Sequence, residues 1–248
     1  MFCGTVFGLE SANVVGYNST AIAGGKLSCI SLQFAEVGGD ADYANLGKLT
    51  SSGLTAGEYD TMNTDAPCIM IYDGAGGYEY YYYISDAFDA DENEVTAWAD
   101  PNGNAIDVKE LVGTGFWLKV PEATCTTGTL TQSGEVSDAA TSTINIAAGL
   151  TLAGNPYPIA LNISKVTTSG LEAGEYDTMN TDAPCIMIYD GEGGYEYYYY
   201  ISDAFDADEN EVTAWADPNG NAVTGEIAEA GEAFWARSAT AGTLTFSL

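Results

Sequence analysis

Apolar and polar residues alternate over short stretches of this chain, and Gly, Asn-Gly and Asp-Gly turns interrupt them about every ten residues. A period of two is typical of strands with one face on a core. Helical spacing of apolar residues is nearly absent. In the second half of the chain the predicted strands are STINIA, LTLAG, LNISKVT, CIMIYD, YEYYYYI, EVTAWA, EAFWARS and GTLTFSL. The pattern predicts an all-β protein of antiparallel sandwiches or barrels.

A long internal repeat divides the chain. Residues 53–105 recur at 170–222 with two differences, and weaker similarity extends outward on both sides. Repetition at a fixed offset indicates one fold unit that occurs twice. We therefore predict two tandem β modules, residues 12–138 and 139–248, each with about eight strands.

The N-terminal segment, residues 1–11, precedes the first module and resembles the closing strands GTLTQSGEV and GTLTFSL. An unpaired strand can complete the open edge of another sheet, so one hypothesis is donation of this segment to a neighbouring subunit. Pairing within its own chain and an uncleaved leader are the alternatives. The residues that would contact the neighbour are Phe2, Cys3, Val6, Phe7 and Leu9.

Charge and composition exclude several classes of function. The chain has 36 acidic and 6 basic residues and a net charge of −30, so it repels nucleic acid and anionic lipid surfaces. It contains no histidine, the commonest general base and zinc ligand. No apolar run approaches the roughly 20 residues of a membrane helix. These features predict a non-enzymatic protein with no membrane span, located outside the cell or on its surface.

The tyrosine-rich strand YEYYYYI, present in both repeats, places tyrosine on both of its faces. Exposed rings could stack on sugar rings or on another subunit. Cross-strand packing inside an ordinary sandwich is the alternative. The candidate platform consists of Tyr80, Tyr82, Tyr197 and Tyr199.

An acidic loop in each repeat resembles the first half of a calcium loop. Its candidate ligands are Asp89, Asp91 and Asn93 in the first copy and Asp206, Asp208 and Asn210 in the second. Glu94 stands where that loop requires glycine. The sequence favours a solvated acidic turn, with calcium as the alternative, and predicts no other cofactor.

Two kinds of covalent modification are consistent with the sequence. Cys29 and Cys125 both lie in the first module and both lack counterparts in the second, so they form either a disulfide or two free thiols. Asn18 and Asn162 begin Asn-X-Ser/Thr sequons, which carry glycans in some secreted proteins and also occur by chance.

Three motifs carry a resemblance to a known group of proteins. They are ESANVVGY at 10–17, GFWLK before a closing GTLT strand, and GNPYP at 154–158. Together they resemble secreted bacterial tandem β-repeat proteins, in which a leader precedes an ESxNxVGY-like start. The resemblance implies an extracellular all-β protein. The N-terminal segment is also similar in principle to the donor strands of pilins, although no pilin motif is matched.

These observations predict a structural subunit of an extracellular filament or surface assembly, which polymerises with itself head to tail. The alternative is a carbohydrate-binding or adhesion protein that uses the tyrosine strands. A glycosidase is the third hypothesis, because paired carboxylates can hydrolyse glycosidic bonds. Most acidic residues here lie in turn-like segments, where solvation would keep their pKa values together.

Overall fold

The computed structural model describes residues 15–40, 42–125 and 127–248. These residues form twenty β-strands and two one-turn α-helices, α1 (Met62–Asp65) and α2 (Met179–Asp182). Within this part of the chain, no helix has the length and apolar character that crossing a membrane requires. The predicted all-β class is confirmed.

Ten strands belong to the N-terminal half, which we define as residues 15–136. They are β1 (Val15–Ile22), β2 (Leu27–Ser31), β3 (Tyr43–Asn45), β4 (Thr50–Ser52), β5 (Cys68–Tyr72), β6 (Tyr78–Phe88), β7 (Glu94–Ala99), β8 (Lys109–Leu111), β9 (Gly115–Lys119) and β10 (Gly128–Glu135). The C-terminal half, residues 137–248, has ten more. They are β11 (Thr141–Ile146), β12 (Gly149–Gly154), β13 (Leu161–Asn162), β14 (Val166–Ser169), β15 (Cys185–Tyr189), β16 (Tyr195–Phe205), β17 (Glu211–Ala216), β18 (Glu226–Ala228), β19 (Ala233–Ser238) and β20 (Gly242–Ser247).

The two halves have the same strand order. Each contains a five-stranded antiparallel sheet, β2-β9-β5-β6-β7 and β12-β19-β15-β16-β17. Each also contains a three-stranded antiparallel sheet, β1-β10-β4 and β11-β20-β14, and a two-stranded pair, β3-β8 and β13-β18. The repeated sequence therefore folds into the same topology twice.

The core of each half lies between its three-stranded and five-stranded sheets, as in a β-sandwich. In the N-terminal half, Ile22 and Leu130 of the small sheet join one buried cluster with Ile69 and Phe116 of the large sheet. The equivalent residues of the C-terminal half are Ile146, Leu244, Ile186 and Phe234. Alternation along each strand supplies these inward side chains.

The number of strands differs from the prediction of about eight per repeat. The stretch LNISKVT, expected as one strand, is divided by the 3-10 turn Ile163–Lys165 into β13 and β14. The side chain of Asn162 accepts a hydrogen bond from the Ser164 amide at 3.0 Å, which starts this turn. The short strand β18 was not predicted, because three residues carry too little periodicity.

The two halves meet through equivalent residues. The Ser31 amide donates to the Gly231 carbonyl at 2.8 Å, and the Gly154 amide donates to the Gly113 carbonyl at 2.9 Å. Ser31 and Gly154 are equivalent, because each pairs with the first residue of the equivalent strand, β9 or β19. Gly113 and Gly231 are equivalent positions of the repeat. Exchanging the two halves therefore converts one contact into the other, which indicates an approximate two-fold axis between the halves.

Aromatic rings obey the same symmetry. Trp117 packs edge-on against Tyr189 with ring centroids 5.1 Å apart, and Trp235 packs edge-on against Tyr72 at 4.9 Å. Both tryptophans are buried and share one apolar cluster with Leu152. The two five-stranded sheets therefore have a common aromatic core between them, in addition to the two sandwich cores.

Candidate functional site

The first candidate surface consists of the two equivalent edge strands, β1 and β11. Beyond their pairing with β10 and β20, neither strand forms a backbone ladder with any other described residue. Their sequences, VGYNSTAI and TSTINI, contain no charged residue and no proline. Natural sheets usually protect such edges with charge, proline or a bulge, so these two are open templates for another strand.

Small and uncharged side chains border both edges. The hydroxyl of Ser19 on β1 lies 2.9 Å from that of Thr131, and the hydroxyl of Thr143 on β11 lies 3.0 Å from that of Thr245. Further along β1, the Tyr17 side chain is 77% exposed. The absence of charge is visible in the sequence and is the signal that could have identified these strands beforehand.

The segment predicted to add to such an edge, residues 1–11, lies outside the described residues. The same holds for its contact residues Phe2, Cys3, Val6, Phe7 and Leu9. Their contact with a neighbouring subunit therefore stays a prediction.

The second candidate surface is formed by tyrosines on one face of β6. Tyr78, Tyr80 and Tyr82 share this face, whereas Tyr81 points into the sandwich core. The opposite half covers Tyr78, and α1 covers Tyr82, whose hydroxyl donates to Asn63 Oδ1 at 2.8 Å. Between these two covers, Tyr80 remains 41% exposed.

The C-terminal copy repeats this arrangement on β16. Tyr197 is 36% exposed, and Tyr199 is buried with its hydroxyl donating to Asn180 Oδ1 at 2.8 Å. The predicted four-residue platform is therefore wrong in one respect. Tyr82 and Tyr199 are buried supports, because the short helices pack over them, and only Tyr80 and Tyr197 are accessible.

The rings on each face form a series that we call a tyrosine strip. The first strip contains Tyr72, Tyr78, Tyr80 and Tyr82, and the second contains Tyr189, Tyr195, Tyr197 and Tyr199. Successive rings are in contact throughout the first strip, and in the second strip they are in contact within two pairs, Tyr189–Tyr195 and Tyr197–Tyr199. The exposed ring lies nearly parallel to its buried neighbour, at 12° and 6.5 Å in the first strip and at 9° and 6.1 Å in the second. Each exposed ring is thus held by a buried ring of the same strand.

The acidic loops are closed by their own side chains. The Asp89 carboxylate accepts hydrogen bonds from the amides of Asp91 and Asn93, both at 2.9 Å, and the equivalent triplet Asp206, Asp208 and Asn210 does the same. Among the described residues, no three His, Cys, Asp or Glu side chains are grouped closely enough to share a metal ion. The geometry therefore favours the turn, and calcium binding stays a prediction.

These turns give stability a defined pH dependence. The Asn93 and Asn210 amides, by bonding to Asp89 and Asp206, hold the pKa of each carboxyl below its usual value. A depressed pKa in the folded state stabilises the protein above the unfolded pKa, near 3.9, and the contribution is lost as pH falls below it. We expect the double variant Asp89→Asn with Asp206→Asn to melt about 2–4 °C lower than the wild type at pH 7.

Thermal melting by circular dichroism at pH 7 and pH 2.5 checks this expectation. The difference between variant and wild type should shrink at pH 2.5, because the wild-type carboxyls become protonated. The exposed pair Asp60 and Asp177 offers the matched control, since neither side chain accepts a hydrogen bond of this kind from the described part of the chain. A difference that persists unchanged at pH 2.5 would show that charge at Asp89 and Asp206 does not stabilise the turns.

The two cysteines predicted to form either a disulfide or two free thiols are not bonded to each other. Cys29 and Cys125 are both free thiols. Cys29 pairs with Trp117 and faces the aromatic core between the halves, whereas Cys125 packs in the sandwich core on the other side of the sheet. The sheet separates the two sulfur atoms, and burial raises the pKa of the Cys29 thiol.

The two sequon asparagines have structural hydrogen bonds. The Asn18 amide nitrogen donates to Gln33 Oε1 at 2.8 Å and to the Ala230 carbonyl, in the opposite half, at 3.2 Å. The buried Gln33 extends this link by donating to the Tyr157 carbonyl at 2.7 Å. A glycan on Asn18 would displace these bonds, so the geometry favours chance occurrence there. Glycosylation of Asn162 stays a prediction.

No protein-family model, curated protein or solved structure matches this chain. The resemblance to secreted bacterial tandem β-repeat proteins therefore stays a prediction, and function has to be argued from the two candidate surfaces.

Proposed function

We propose that this protein is a structural subunit of an extracellular homopolymer, assembled head to tail by the addition of a strand from one subunit to an open sheet edge of the next. The observation that carries the proposal is the pair of uncharged, unprotected edge strands, β1 and β11. Residues 1–11 are the proposed donor. The same strand addition would join the subunits of either a filament or a surface layer.

Charge explains why such edges matter in this chain. Two subunits that each carry a charge of −30 repel one another, and salt screens that repulsion only partly. Association therefore requires a contact free of acidic side chains and rich in hydrogen bonds. An added strand on β1 or β11 supplies these hydrogen bonds along a strand that has no acidic side chain of its own.

A polymer subunit also needs a fixed geometry between its contact surfaces. The aromatic core between the halves and the Asn18–Gln33 hydrogen bonds tie the two halves together. With such links, the orientation of β1 relative to β11 is the same in every copy. Head-to-tail contacts between rigid subunits propagate into open assemblies.

The test places a lysine on each edge strand. We expect Ser19→Lys combined with Thr143→Lys to shorten or abolish polymers, because a charged edge opposes strand addition. Both side chains are exposed, so the fold should survive. Val37→Lys, at a turn residue that is 59% exposed, is the matched control and should polymerise normally. Deletion of residues 1–9 should have the same effect as the edge lysines.

Sedimentation velocity and negative-stain electron microscopy give the readout, with circular dichroism to confirm folding. Wild-type protein that remains monomeric at millimolar calcium and moderate salt would refute the proposed function. Long polymers in the edge-lysine variant would refute the two edges as the contact. Long polymers after the deletion would refute residues 1–9 as the donor.

A further inference from the structure

We infer that the two tyrosine strips are a matched pair of carbohydrate-binding sites, which hold neutral polysaccharide by stacking sugar rings on Tyr80 and Tyr197. This binding activity is separate from the proposed polymerisation, because neither tyrosine lies on β1 or β11. The chemistry of the exposed rings, their rigidity and the charge around them each support it.

A pyranose ring presents an apolar face of C–H bonds, which packs flat against an aromatic ring while its hydroxyls remain in water. Tyrosine suits this contact because it offers a rigid apolar surface with a polar end. The hydroxyls of Tyr80 and Tyr197 have no hydrogen-bond partner among the described residues, so both can bond to a sugar hydroxyl. Each site therefore combines a stacking surface with a polar group.

Pre-organisation distinguishes these two rings from the other exposed tyrosines. Tyr80 is flanked on its own strand by Tyr78 and Tyr82, with ring centroids 6.5 Å away in both cases. Tyr82 in turn is fixed by its hydrogen bond to Asn63. A ring held in this way loses little freedom when a ligand binds. Tyr17 is more exposed than Tyr80, but has no ring contact of this kind with any described residue.

The charge around the strips selects the class of ligand. Along the sheet, Met70 and Cys68 on β5 and Ala99 on β7 pair with residues of the first strip, and Lys119 on β9 pairs with Cys68. None of these four neighbours is acidic. The molecule as a whole carries −30, which repels an anionic polysaccharide and a second copy of this chain. A neutral polysaccharide meets no such repulsion, so it is the occupant that fits.

Two sites on one body imply bivalent binding. The approximate two-fold axis relates the strips, and each runs outward from the shared aromatic core through Tyr72 or Tyr189. A bivalent protein binds a surface of parallel chains more tightly than one site does, by a factor of about 10²–10⁴. It can also cross-link two soluble chains.

The experiment measures binding to insoluble cellulose, chitin and mannan, with alginate beads as the anionic counterpart. It uses the full chain with the two edge lysines, Ser19→Lys and Thr143→Lys, after high-speed clarification, so that polymers do not sediment by themselves. We expect retention on at least one neutral polysaccharide and none on alginate. Tyr80→Ala or Tyr197→Ala alone should weaken retention about 100-fold, because bivalency is lost.

Removing both rings should weaken retention by about a further five- to ten-fold, the loss expected for one stacking contact. Tyr17→Ala, which removes a more exposed tyrosine outside the strips, is the control and should bind normally. The parent should also raise the viscosity of soluble hydroxyethylcellulose, and either single variant should not.

Three outcomes would overturn the inference. They are the absence of retention on all three neutral polysaccharides, equal retention of the double tyrosine variant and its parent, and stronger retention on alginate than on the neutral polymers. Loss of polymerisation when Tyr80→Ala and Tyr197→Ala are placed in the wild-type chain, without any loss of sugar binding, would assign the strips to contacts between subunits instead. The polymerisation assay is read separately, so the two proposals fail independently.

Discussion

Replacing Trp117 by alanine is expected to lower the free energy of unfolding by about 3–5 kcal/mol, the usual cost of truncating a buried tryptophan. Trp117 is 3% exposed and packs edge-on against Tyr189 of the opposite half. Its removal opens a cavity in the aromatic core that both halves share. Trp235→Ala should have a similar cost, because the approximate two-fold axis gives it the equivalent position against Tyr72.

The two substitutions should not be additive. Trp117 and Trp235 belong to one cluster, so the double variant should lose clearly less than the sum of the single losses. Trp98 offers the matched control, because it is equally buried but lies in the sandwich core of the N-terminal half. Trp98→Ala combined with Trp235→Ala should be additive within about 0.5 kcal/mol.

Urea denaturation followed by far-ultraviolet circular dichroism measures these losses, since that signal comes mainly from the backbone rather than from the tryptophans removed. The single variants should also separate the unfolding of the two halves, which share fewer contacts once the cavity forms. Additive losses for Trp117 and Trp235 would mean that the two aromatic contacts are independent and that the halves have no common core.

Substitution of Gly154 by serine is expected to cost about 2–3 kcal/mol through overpacking between the halves. A Cβ atom at Gly154 would collide with the Ser31 side chain of the opposite half. The Gly154 amide also donates to the Gly113 carbonyl at 2.9 Å, and separation of the chains would lengthen that bond. Neither strand can move freely, since each is paired within its own sheet.

The approximate symmetry supplies a rescue for this variant. Ser31 and Gly154 occupy equivalent positions, so Ser31→Gly combined with Gly154→Ser moves the side chain to the other side of the axis. The double variant should recover more than half of the loss. Thermal and urea unfolding of the single and double variants test this, with Ser31→Gly alone as the control. A double variant as unstable as Gly154→Ser would mean that the clash with Ser31 is not the cause.

Local sequence patterns predicted many of the strands and turns correctly. Short apolar patterns bounded by turns identified the strands CIMIYD and EVTAWA in both copies. Both faces of CIMIY are covered, one by the sandwich core and the other by the cluster under the short helix. Turn chemistry is also local, as at Gly103, where φ is +85° after Asn102. The near-identity of residues 53–105 and 170–222 required the same topology twice. These features depend only on neighbours in sequence.

Packing between distant segments decided the rest. The YEYYYYI strand has tyrosine on both faces, and only the positions of the opposite half and of α1 leave Tyr80 exposed while Tyr82 is buried. The thiols of Cys29 and Cys125 are separated by a sheet whose faces no sequence pattern specifies in advance.

The sequence by itself determined that this protein is a duplicated all-β chain with acidic turns and with several strands that carry no charge. Only the tertiary structure decided that two of these uncharged strands, β1 and β11, lie at sheet edges and that Tyr80 and Tyr197 are the most exposed tyrosines of their strips. The physical reason is that alternation assigns a side chain to one face of a strand, whereas the cover over that face comes from residues far away in the chain.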